Sequence, residues 1–412
     1  MPLATSAPEQ HSLLRVRAFR QFWSARVAAG FAYQMLSVAV GWQIYALSHR
    51  TLDLGLIGLA QFLPSLLLML PAGHLADRYE RRRILLAAEW LQALALALLA
   101  AGSFLHWLNE GVILVLVLVI GIGKAFEFPV RQALLPGLVP PALLPRAMAA
   151  SASAGQMTIM VGPALGGFLY LAGPDIVYLV SACLYVGAAL LFWRMPSVSP
   201  PVAHAARTLK TVFAGIAYIR RRPVIFGAIS LDLFAVLLGG ATALLPAFAH
   251  DILHTGPWGL GLLRAAPAVG ALVISVWLAH RPLRRGVGKI MFACVAGFGF
   301  ATLLFALSTS FLLSLAALCA LGAFDMVSVV IRGTLVQLET PDEMRGRVSA
   351  VNAMFVTTSN QLGEFESGVT ASWFGTVPAV VIGALGTLAV VGLWMGWFPE
   401  LRKRERLETT LS

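Results

Sequence analysis

Long apolar runs separated by short polar connections dominate the chain from end to end. A helix needs about 20 largely apolar residues to cross the hydrocarbon layer of a bilayer. On this basis we predict twelve membrane-spanning helices, at 20–47, 55–75, 84–105, 111–134, 146–172, 175–195, 223–249, 257–280, 288–308, 311–335, 347–373 and 376–398. The connections between them leave no room for a sizeable soluble domain.

The basic residues indicate the direction in which these helices run. The even-numbered connections and both ends of the chain hold 24 of the 30 lysines and arginines, whereas the odd-numbered connections hold only Arg50. Cytoplasmic loops of membrane proteins carry an excess of Lys and Arg. We therefore predict that both termini are cytoplasmic.

Composition agrees with a membrane protein and excludes several other classes. Hydrophobic residues make up 58% of the chain and charged residues 12%, about half of the charged fraction that soluble domains carry. A soluble globular protein, a nucleic-acid-binding protein and a disordered chain are excluded. The net charge of +11 follows from the basic loops and needs no nucleic acid partner.

The second half of the chain repeats the first. A polar stretch at 196–222 separates residues 1–195 from residues 223–412, so each part holds six predicted helices. Basic residues, prolines and glycines recur 201 positions apart, in the pairs Arg131 and Arg332, Pro140 and Pro341, Arg146 and Arg347, Gly162 and Gly363, and Gly167 and Gly368. The sequence thus predicts an all-α integral membrane fold of two pseudo-symmetric six-helix bundles, with a substrate site between them near the bilayer midplane.

Charged residues inside the predicted helices are the candidates for that site. Each costs about 2.5–3.5 kcal/mol or more at the centre of a helix if it is unpaired. Our candidates for the substrate cavity and proton coupling are Glu127, Lys124, Asp325, Asp232, Glu364, Arg26 and Arg264.

The positions of these residues along their helices refine the prediction. Lys124, Glu127 and Arg131 share one helical face, so Glu127 can pair with both neighbours. A transport role is favoured for Lys124, Glu127 or Asp325 near the midplane, and a structural ion pair for Arg131 and Arg332 near the inner ends. At most one of Glu364 and Glu366 is expected to face the cavity, and Glu89 is expected at the membrane interface.

The connection between the second and third predicted helices resembles a loop motif of the major facilitator superfamily. Residues 73–83 follow the pattern Gly-x-Leu-Ala-Asp-Arg-x-Gly-Arg-Arg, with Glu80 where glycine is usual. The resemblance implies a latch that holds the two halves together on the cytoplasmic side, with its glycine at a close helix approach and a tight turn. Its residues would be Gly73, Asp77, Arg78, Arg82, Arg131 and Arg332, although His280 replaces the aspartate in the second copy.

A glycine motif in the fifth predicted helix resembles the antiporter motif of that superfamily. It comprises Gly162, Pro163, Gly166 and Gly167, whereas Thr158 and Ala149 stand where further glycines are usual. Simple helix packing is the alternative explanation, because small residues let helices approach closely.

Residues 340–368, together with 126–133, resemble the siderophore-exporter branch of the superfamily, to which macrolide-efflux proteins are related. The resemblance implies a monomeric bacterial inner-membrane protein in which proton entry drives export of an enterobactin-type siderophore or a bulky amphipathic drug by alternating access. Its partners would be the small-molecule substrate and lipid, and it would use the proton gradient without a cofactor or metal.

The sequence lacks the short motifs that mark several other classes of function. The chain has no nucleotide-binding Gly-x-x-x-x-Gly-Lys-[Ser/Thr] motif and no Gly-x-Ser-x-Gly or His-Glu-x-x-His motif, so we do not expect an enzyme or an ATP-driven pump. A multidrug or macrolide efflux pump is the nearest alternative. A passive facilitator or an importer with the same fold is less favoured.

Overall fold

The computed structural model describes residues 13–196, 209–281, 283 and 285–406, and all regular structure within these ranges is helical. In the first half the helices are α1 (Arg17–Ser48), α2 (Thr51–Leu67), α3 (Met69–Arg78), α4 (Arg81–Phe104), α5 (Glu110–Leu134), α6 (Leu144–Leu169) and α7 (Pro174–Trp193). We call the end of the bundle where α1 ends and α2 begins the outer end, and the opposite end the inner end.

The second half repeats this order of helices. They are α8 (Leu209–Arg220), α9 (Pro223–Leu238), α10 (Leu245–Ala247), α11 (Pro257–His280), α12 (Val287–Leu307), α13 (Phe311–Leu338), α14 (Asp342–Phe374), α15 (Thr376–Trp397) and α16 (Pro399–Arg402). Because α2 and α3 form one predicted span, and α9, α10 and the turns after α9 form another, the twelve predicted spans all have helical counterparts.

Equivalent helices pack in equivalent ways in the two halves. In the first half α4 packs against α5 and α7, and in the second half α12 packs against α13 and α15. Two long contacts join the halves, one between α2 and α14 and the other between α6 and α11. The predicted repeat relates α2 to α11 and α6 to α14, so each of these two contacts is the counterpart of the other. The structure therefore has the two-bundle, pseudo-symmetric architecture that the sequence predicts.

Ten of the described helical stretches are long and apolar enough to cross a membrane. The other two predicted spans fall short for different reasons. α2 has only 17 residues, although it is apolar. α14 has 33 residues, about 50 Å at 1.5 Å per residue, but its middle is polar. It packs against α2 of the other half, so that part of its surface does not face lipid.

Two predicted spans are interrupted, which the hydrophobic pattern does not predict. The second span divides at Leu68, three residues before Pro71, because proline lacks an N–H group and its ring clashes with the preceding turn. The seventh divides after α9 at Gly239, continues through a 3-10 turn (Ala241–Leu244) and α10, and ends in a π-helical turn (Phe248–Ile252).

The predicted polar connection at 196–222 contains α8, which packs against α14 and α9. Residues 197–208 lie outside the described part of the chain, so the boundaries of the two halves stay a prediction. Elsewhere the outer surface of the bundles is apolar. Leu312 and Trp373 are each 75% exposed, as expected for side chains that face lipid.

Candidate functional site

A cluster of charged side chains lies on the inner part of α5. Glu127 is fully buried and forms ion pairs with Lys124, at 3.3 Å between Nζ and Oε2, and with Arg131 through Nη1 and Oε1. Helical geometry brings residues three and four apart onto one face, so both pairs follow from the sequence spacing. A single carboxylate therefore has two cationic partners, one from each direction along its helix.

Helix α4 adds two residues to this cluster. Glu89 was expected elsewhere, and Gln92 was not among the sequence candidates. Gln92 Nε2 donates a 3.4 Å hydrogen bond to Glu127 Oε2. Helices α4 and α5 approach closely here because residue 123 is glycine, and a Cβ atom at that position would lie 2.6 Å from Gln92 Cγ. Glu89 is 0% exposed, so the expectation that it lies at the membrane interface is wrong. The contact of α4 with α5 covers it.

Glu89 is the least satisfied side chain in the cluster. Neither of its carboxyl oxygens has a hydrogen-bond partner among the described residues, and it lies within electrostatic range of Glu127, Arg131 and Lys124. Arg26 on α1 lies within range of Arg131 and Glu127. Two acids and three bases thus share one region of the first half.

Tyr33 on α1 connects this cluster to the second half. Lys124 Nζ lies 4.3 Å from the centre of the Tyr33 ring, a cation–π contact, and the Tyr33 hydroxyl donates a hydrogen bond to Gln61 on α2. Tyr33 lies within electrostatic range of Glu127, Arg264 and Glu364. The side chain therefore stands between charged groups of both halves.

Arg264 and Glu364 are the second-half members of this network. Arg264 Nη1 donates a 2.9 Å hydrogen bond to Ser37 Oγ on α1, while its Nε is buried without a hydrogen-bond partner among the described residues. Glu364 lies against α2 at Gly58, where a Cβ atom would come within 2.8 Å of the Glu364 Cβ. Arg264 and Glu364 are within electrostatic range of one another.

Glu366, two positions further along α14, has a different environment. Its carboxyl group accepts a 2.8 Å hydrogen bond from the Thr370 hydroxyl and a longer one from Ser367. Both partners lie on its own helix. Of the two acids, the structure therefore links only Glu364 to the charged groups between the halves.

A second charged group lies wholly inside the second half. Asp232 on α9 forms an ion pair with Arg332 on α13, and both side chains are nearly fully buried. Asp325 lines a small pocket with Asp232, Phe298 and Ser328. Asp325 and Glu127 were both predicted to lie at the substrate cavity. In the structure they are apart, because each faces the interior of its own half.

The residues predicted to form a latch have contacts mainly within the first half. Arg82 Nη1 donates to the carbonyl oxygen of Met195, beyond the end of α7, Arg131 pairs with Glu127, and Arg78 is exposed. The Asp77 side chain lies outside the described part of the structure.

Two further residues of the predicted latch also lie away from contacts between the halves, and Arg332 forms a structural ion pair, as was favoured for it. Gly73 was expected at a close helix approach and a tight turn. It lies within α3, where a Cβ atom would meet no atom within 4 Å, so that expectation is wrong for this arrangement of the helices. Arg332 pairs with Asp232 inside the second half. The latch role of the set stays a prediction.

The glycine motif of α6 lies where α6 contacts both α1 and α11. A Cβ atom at Gly162 would lie 2.5 Å from Gln34 Cβ, and one at Gly166 would lie 2.7 Å from Met35 Cα, both on α1. On the other side, a Cβ atom at Gly167 would lie 2.5 Å from the carbonyl oxygen of Pro257. Pro163 is inside the helix, and its carbonyl faces Gly261 of α11.

Exposed polar residues lie on both α6 and α14, and two of them, Gln156 and Thr357, are 201 positions apart and therefore equivalent. Ser153 and Gln156 are exposed on α6, and Thr357 and Asn360 are exposed on α14. In each helix the two residues are three apart and therefore share a face. Polar side chains within membrane spans usually face protein or a water-filled cavity, so these faces indicate a polar surface on the fifth and eleventh spans.

Comparison with known proteins identifies the family. Residues 9–410 match the family model described as transmembrane secretion effector. The chain belongs to this family. The match covers both halves, so the protein is a multi-pass membrane transporter of the major facilitator superfamily.

Curated relatives of this transporter are similar along nearly their whole length. The enterobactin exporter EntS of Citrobacter koseri is 28% identical over 405 residues, which are 95% of this chain and 94% of the relative. EntS of an Escherichia coli O1:K1 strain is 27% identical with the same coverage. These relatives are named as exporters, and a small molecule is their substrate.

Solved structures support the fold of the transporter. The nucleoside transporter NupG (D323A mutant) gives a TM-score of 0.75 at 14% identity, covering 92% of this chain and all of that one. A bacterial homologue of the iron transporter ferroportin, in an inward-facing state, gives 0.70 at 18% identity and covers 96% and 100%. At this identity the likeness concerns the fold alone.

Proposed function

We propose that this transporter is a proton-coupled antiporter that exports an enterobactin-type siderophore from the cytoplasm to the periplasm by alternating access. It acts in the bacterial inner membrane as a monomer, with both termini in the cytoplasm and the proton gradient in place of a cofactor. The network of charged groups around Glu127 is the observation that carries this proposal. The siderophore assignment rests on the names of the relatives.

Proton coupling requires a carboxyl group that binds a proton in one state and releases it in another. Glu127 carries its charge beside Lys124 and Arg131, whereas the neighbouring Glu89 is buried without a hydrogen-bond partner. An unpaired buried charge is far more costly than a neutral carboxylic acid. We infer that a proton resides on Glu89 in this state and that movement of the cationic partners changes which acid holds it.

The connection through Tyr33 supplies a route from proton binding to conformational change. Arg264 and Glu364 belong to the second half, and Tyr33 belongs to the first. When the halves rock against each other, as they do in transporters built from repeats, the distances between these groups change. Proton affinity near Glu127 and the arrangement of the halves therefore depend on one another, which is the requirement for antiport.

The cationic residues also suit the proposed cargo. Arg26, Lys124 and Arg264 supply cations from α1, α5 and α11, and the Nε–H of Arg264 has no hydrogen-bond partner among the described residues. Charge-assisted hydrogen bonds to acidic oxygens are stronger than neutral ones. One proton charge that crosses 100 mV releases about 2.3 kcal/mol, enough for roughly a 45-fold gradient of an uncharged cargo.

Reconstitution in proteoliposomes tests proton coupling directly. An imposed pH gradient should drive uphill movement of a catecholate siderophore, and a protonophore should abolish it. Glu127→Gln should lose uphill transport but retain siderophore binding. The matched control Glu343→Gln changes an exposed acid in the first turn of α14 and should transport normally. Uphill transport by Glu127→Gln would exclude Glu127, and insensitivity to the protonophore would overturn antiport.

A deletion strain grown under iron limitation tests the cargo. Loss of an excreted catecholate from the medium, with its retention inside the cells, is the expected result. An unchanged profile of excreted catecholates, together with increased sensitivity to macrolides, would instead identify a drug efflux pump. That outcome would overturn the siderophore assignment while leaving proton coupling intact.

A further inference from the structure

Two histidines and an aspartate meet at the outer end of the molecule, apart from the charged network around Glu127. They are His49, His250 and Asp251, and one ligand atom from each lies within 4.8 Å of the other two. His49 follows α1 of the first half, whereas His250 and Asp251 lie in the π-helical turn before α11 of the second half. The group therefore bridges the halves.

The local backbone at both sides of this group is unusual. His49 has a left-handed conformation with φ of 50°, which is uncommon for a residue other than glycine, and its N–H donates to the carbonyl oxygen of Tyr45 at 2.8 Å. His250 and Asp251 lie in a π-helical turn, a form that is rare and frequent at functional sites. Together these two features direct the three side chains toward one another.

Neighbouring side chains hold the group in position. The Tyr45 hydroxyl donates a hydrogen bond to Asp251 Oδ2, and His250 Nδ1 lies 2.6 Å from Asp251 Oδ1. The His49 and His250 rings are 5.5 Å apart between centroids, and the Trp42 ring lies 5.6 Å from that of His250. A hydrogen bond from outside the group, such as that from Tyr45 to Asp251, orients metal ligands in known sites, whereas the contact between His250 and Asp251 is replaced when both side chains bind a metal ion.

The chemistry of the three side chains suits a divalent transition metal. Imidazole and carboxylate groups bind Zn²⁺ at about 2.0–2.2 Å, and three such ligands leave a fourth position for water. Tetrahedral geometry at that bond length requires ligand atoms about 3.4 Å apart. The side chains of His250 and Asp251 are 36% and 47% exposed, so they have room to rotate inward and a metal ion can reach them.

We propose that His49, His250 and Asp251 form a Zn²⁺-binding site that joins the two halves at the outer end. Zn²⁺ that binds only when the halves are together there stabilises that arrangement by a factor of 1 + [Zn²⁺]/Kd, about 100-fold at 100 times Kd. Under the predicted orientation the site faces the periplasm. It is independent of the proposed cargo and of proton coupling.

Direct binding measurements on the full-length protein in detergent test this proposal. The protein carries no polyhistidine tag, and Cys183, which is exposed, is replaced by Ser in every sample. Calorimetric titration with Zn²⁺ should show one saturable site. Titration with Co²⁺ should produce visible absorption bands typical of a four-coordinate site with nitrogen and oxygen ligands.

Single substitutions from each half test the bridge. His49→Ala and His250→Ala should each lower Zn²⁺ affinity at least tenfold, and Asp251→Asn should do the same. His106→Ala is the matched control, because His106 is also exposed, also has a positive φ of 57° and lies outside the group. Its affinity should equal that of the unsubstituted protein.

Thermal unfolding separates loss of the site from loss of the fold. Zn²⁺ should raise Tm of the unsubstituted protein and of His106→Ala but not of the three ligand variants, whose Tm without metal should be unchanged. Absence of saturable binding, or equal binding after His250→Ala, would overturn the site. An effect of the second-half substitutions alone would overturn the bridge between the halves.

Discussion

The charged groups of the two halves are built differently, although they lie on equivalent helices. In the first half, Glu127 has three partners, and two of them, Lys124 and Arg131, are on its own helix. In the second half, Arg332, the equivalent of Arg131, forms an ion pair with Asp232 on a different helix. The position equivalent to Lys124 is occupied by Asp325, so the sign of the charge is reversed.

This difference separates a network that can change from a pair that holds helices together. Around Glu127 several groups share the charge, Lys124 is 24% and Arg131 13% exposed, and Tyr33 leads to the other half. The Asp232–Arg332 pair joins α9 to α13 within one half, and both side chains are nearly fully buried. We therefore expect the first group to serve coupling and the second to serve stability.

Breaking the second-half pair should have the largest effect on stability. Asp232→Asn leaves the Arg332 guanidinium buried without a counter-charge, and such losses cost about 3–5 kcal/mol. We expect the free energy of unfolding to fall by that amount. Reversible unfolding in mixed micelles with increasing sodium dodecyl sulfate measures it.

Two further variants control this experiment. Asp232→Leu combined with Arg332→Met replaces the pair by apolar side chains and should recover most of the lost stability, because a buried pair is often matched by hydrophobic packing. Asp325→Asn removes a neighbouring acid that has no ion pair among the described residues and should change stability little. An equal loss in Asp232→Asn and Asp325→Asn would contradict the structural role of the pair.

Replacing the paired carboxylate of the first half by an amide should lower the free energy of unfolding by a smaller amount. Glu127→Gln removes the partner of Lys124 and Arg131, but both cations are partly exposed and Glu89 can supply a compensating charge. We expect a loss of about 2 kcal/mol, below the range for a broken buried pair. The double variant with Glu89→Gln should lose more stability than the two single variants together, since the effects of substitutions at neighbouring groups are not additive.

The coupling between the two acids is measured by unfolding four proteins in the same micelles: the unsubstituted protein, Glu89→Gln, Glu127→Gln and the double variant. Glu343→Gln, at an exposed position, should leave stability unchanged. Strict additivity of Glu89→Gln and Glu127→Gln would show that Glu89 does not compensate for Glu127. The proposed exchange of a proton between these acids would then lose its support.

Most of the fold could be predicted from the sequence, because long apolar runs specify membrane helices almost without regard to context. The interruptions at Leu68 and Gly239 could not be predicted in this way. Both occur inside apolar runs, where hydropathy is unchanged by a turn. Pro71 and the pair Gly239 and Gly240 are the local signals, but similar residues such as Pro64 and Pro163 lie inside continuous helices.

Prediction of the site succeeded where one helix determines the contact. The pairs of Glu127 with Lys124 and Arg131 follow from spacing alone. The pair of Asp232 with Arg332 and the burial of Glu89 depend on how two helices are rotated about their axes, which sequence spacing within one helix does not specify. Gln92 and Tyr33 were missed because an uncharged polar residue gives a weak signal in an apolar run.

Loss of the guanidinium that joins the halves should weaken cargo binding. Arg264→Met removes both the hydrogen bond to Ser37 and an N–H group without a partner, and we expect siderophore affinity to fall about tenfold, or about 1.4 kcal/mol. Titration of the detergent-solubilised protein with a catecholate siderophore measures it. Arg345→Met, which removes an exposed partner of Asp342, should bind normally. Equal affinity in the two variants would remove Arg264 from the cargo site.

The smallest effect should come from Lys124, which is more exposed than Arg131, the other cationic partner of Glu127. Lys124→Gln leaves Glu127 with Arg131 and Gln92, and the lost contact with the Tyr33 ring is worth about 0.5–1 kcal/mol where water is near. We expect a change of less than about 1 kcal/mol in the free energy of unfolding, comparable to that of Asp325→Asn at the equivalent position. Unfolding in mixed micelles measures both. A loss for Lys124→Gln as large as that for Asp232→Asn would show that Glu127 depends on one partner, and the contrast between a shared network and a single pair would no longer hold.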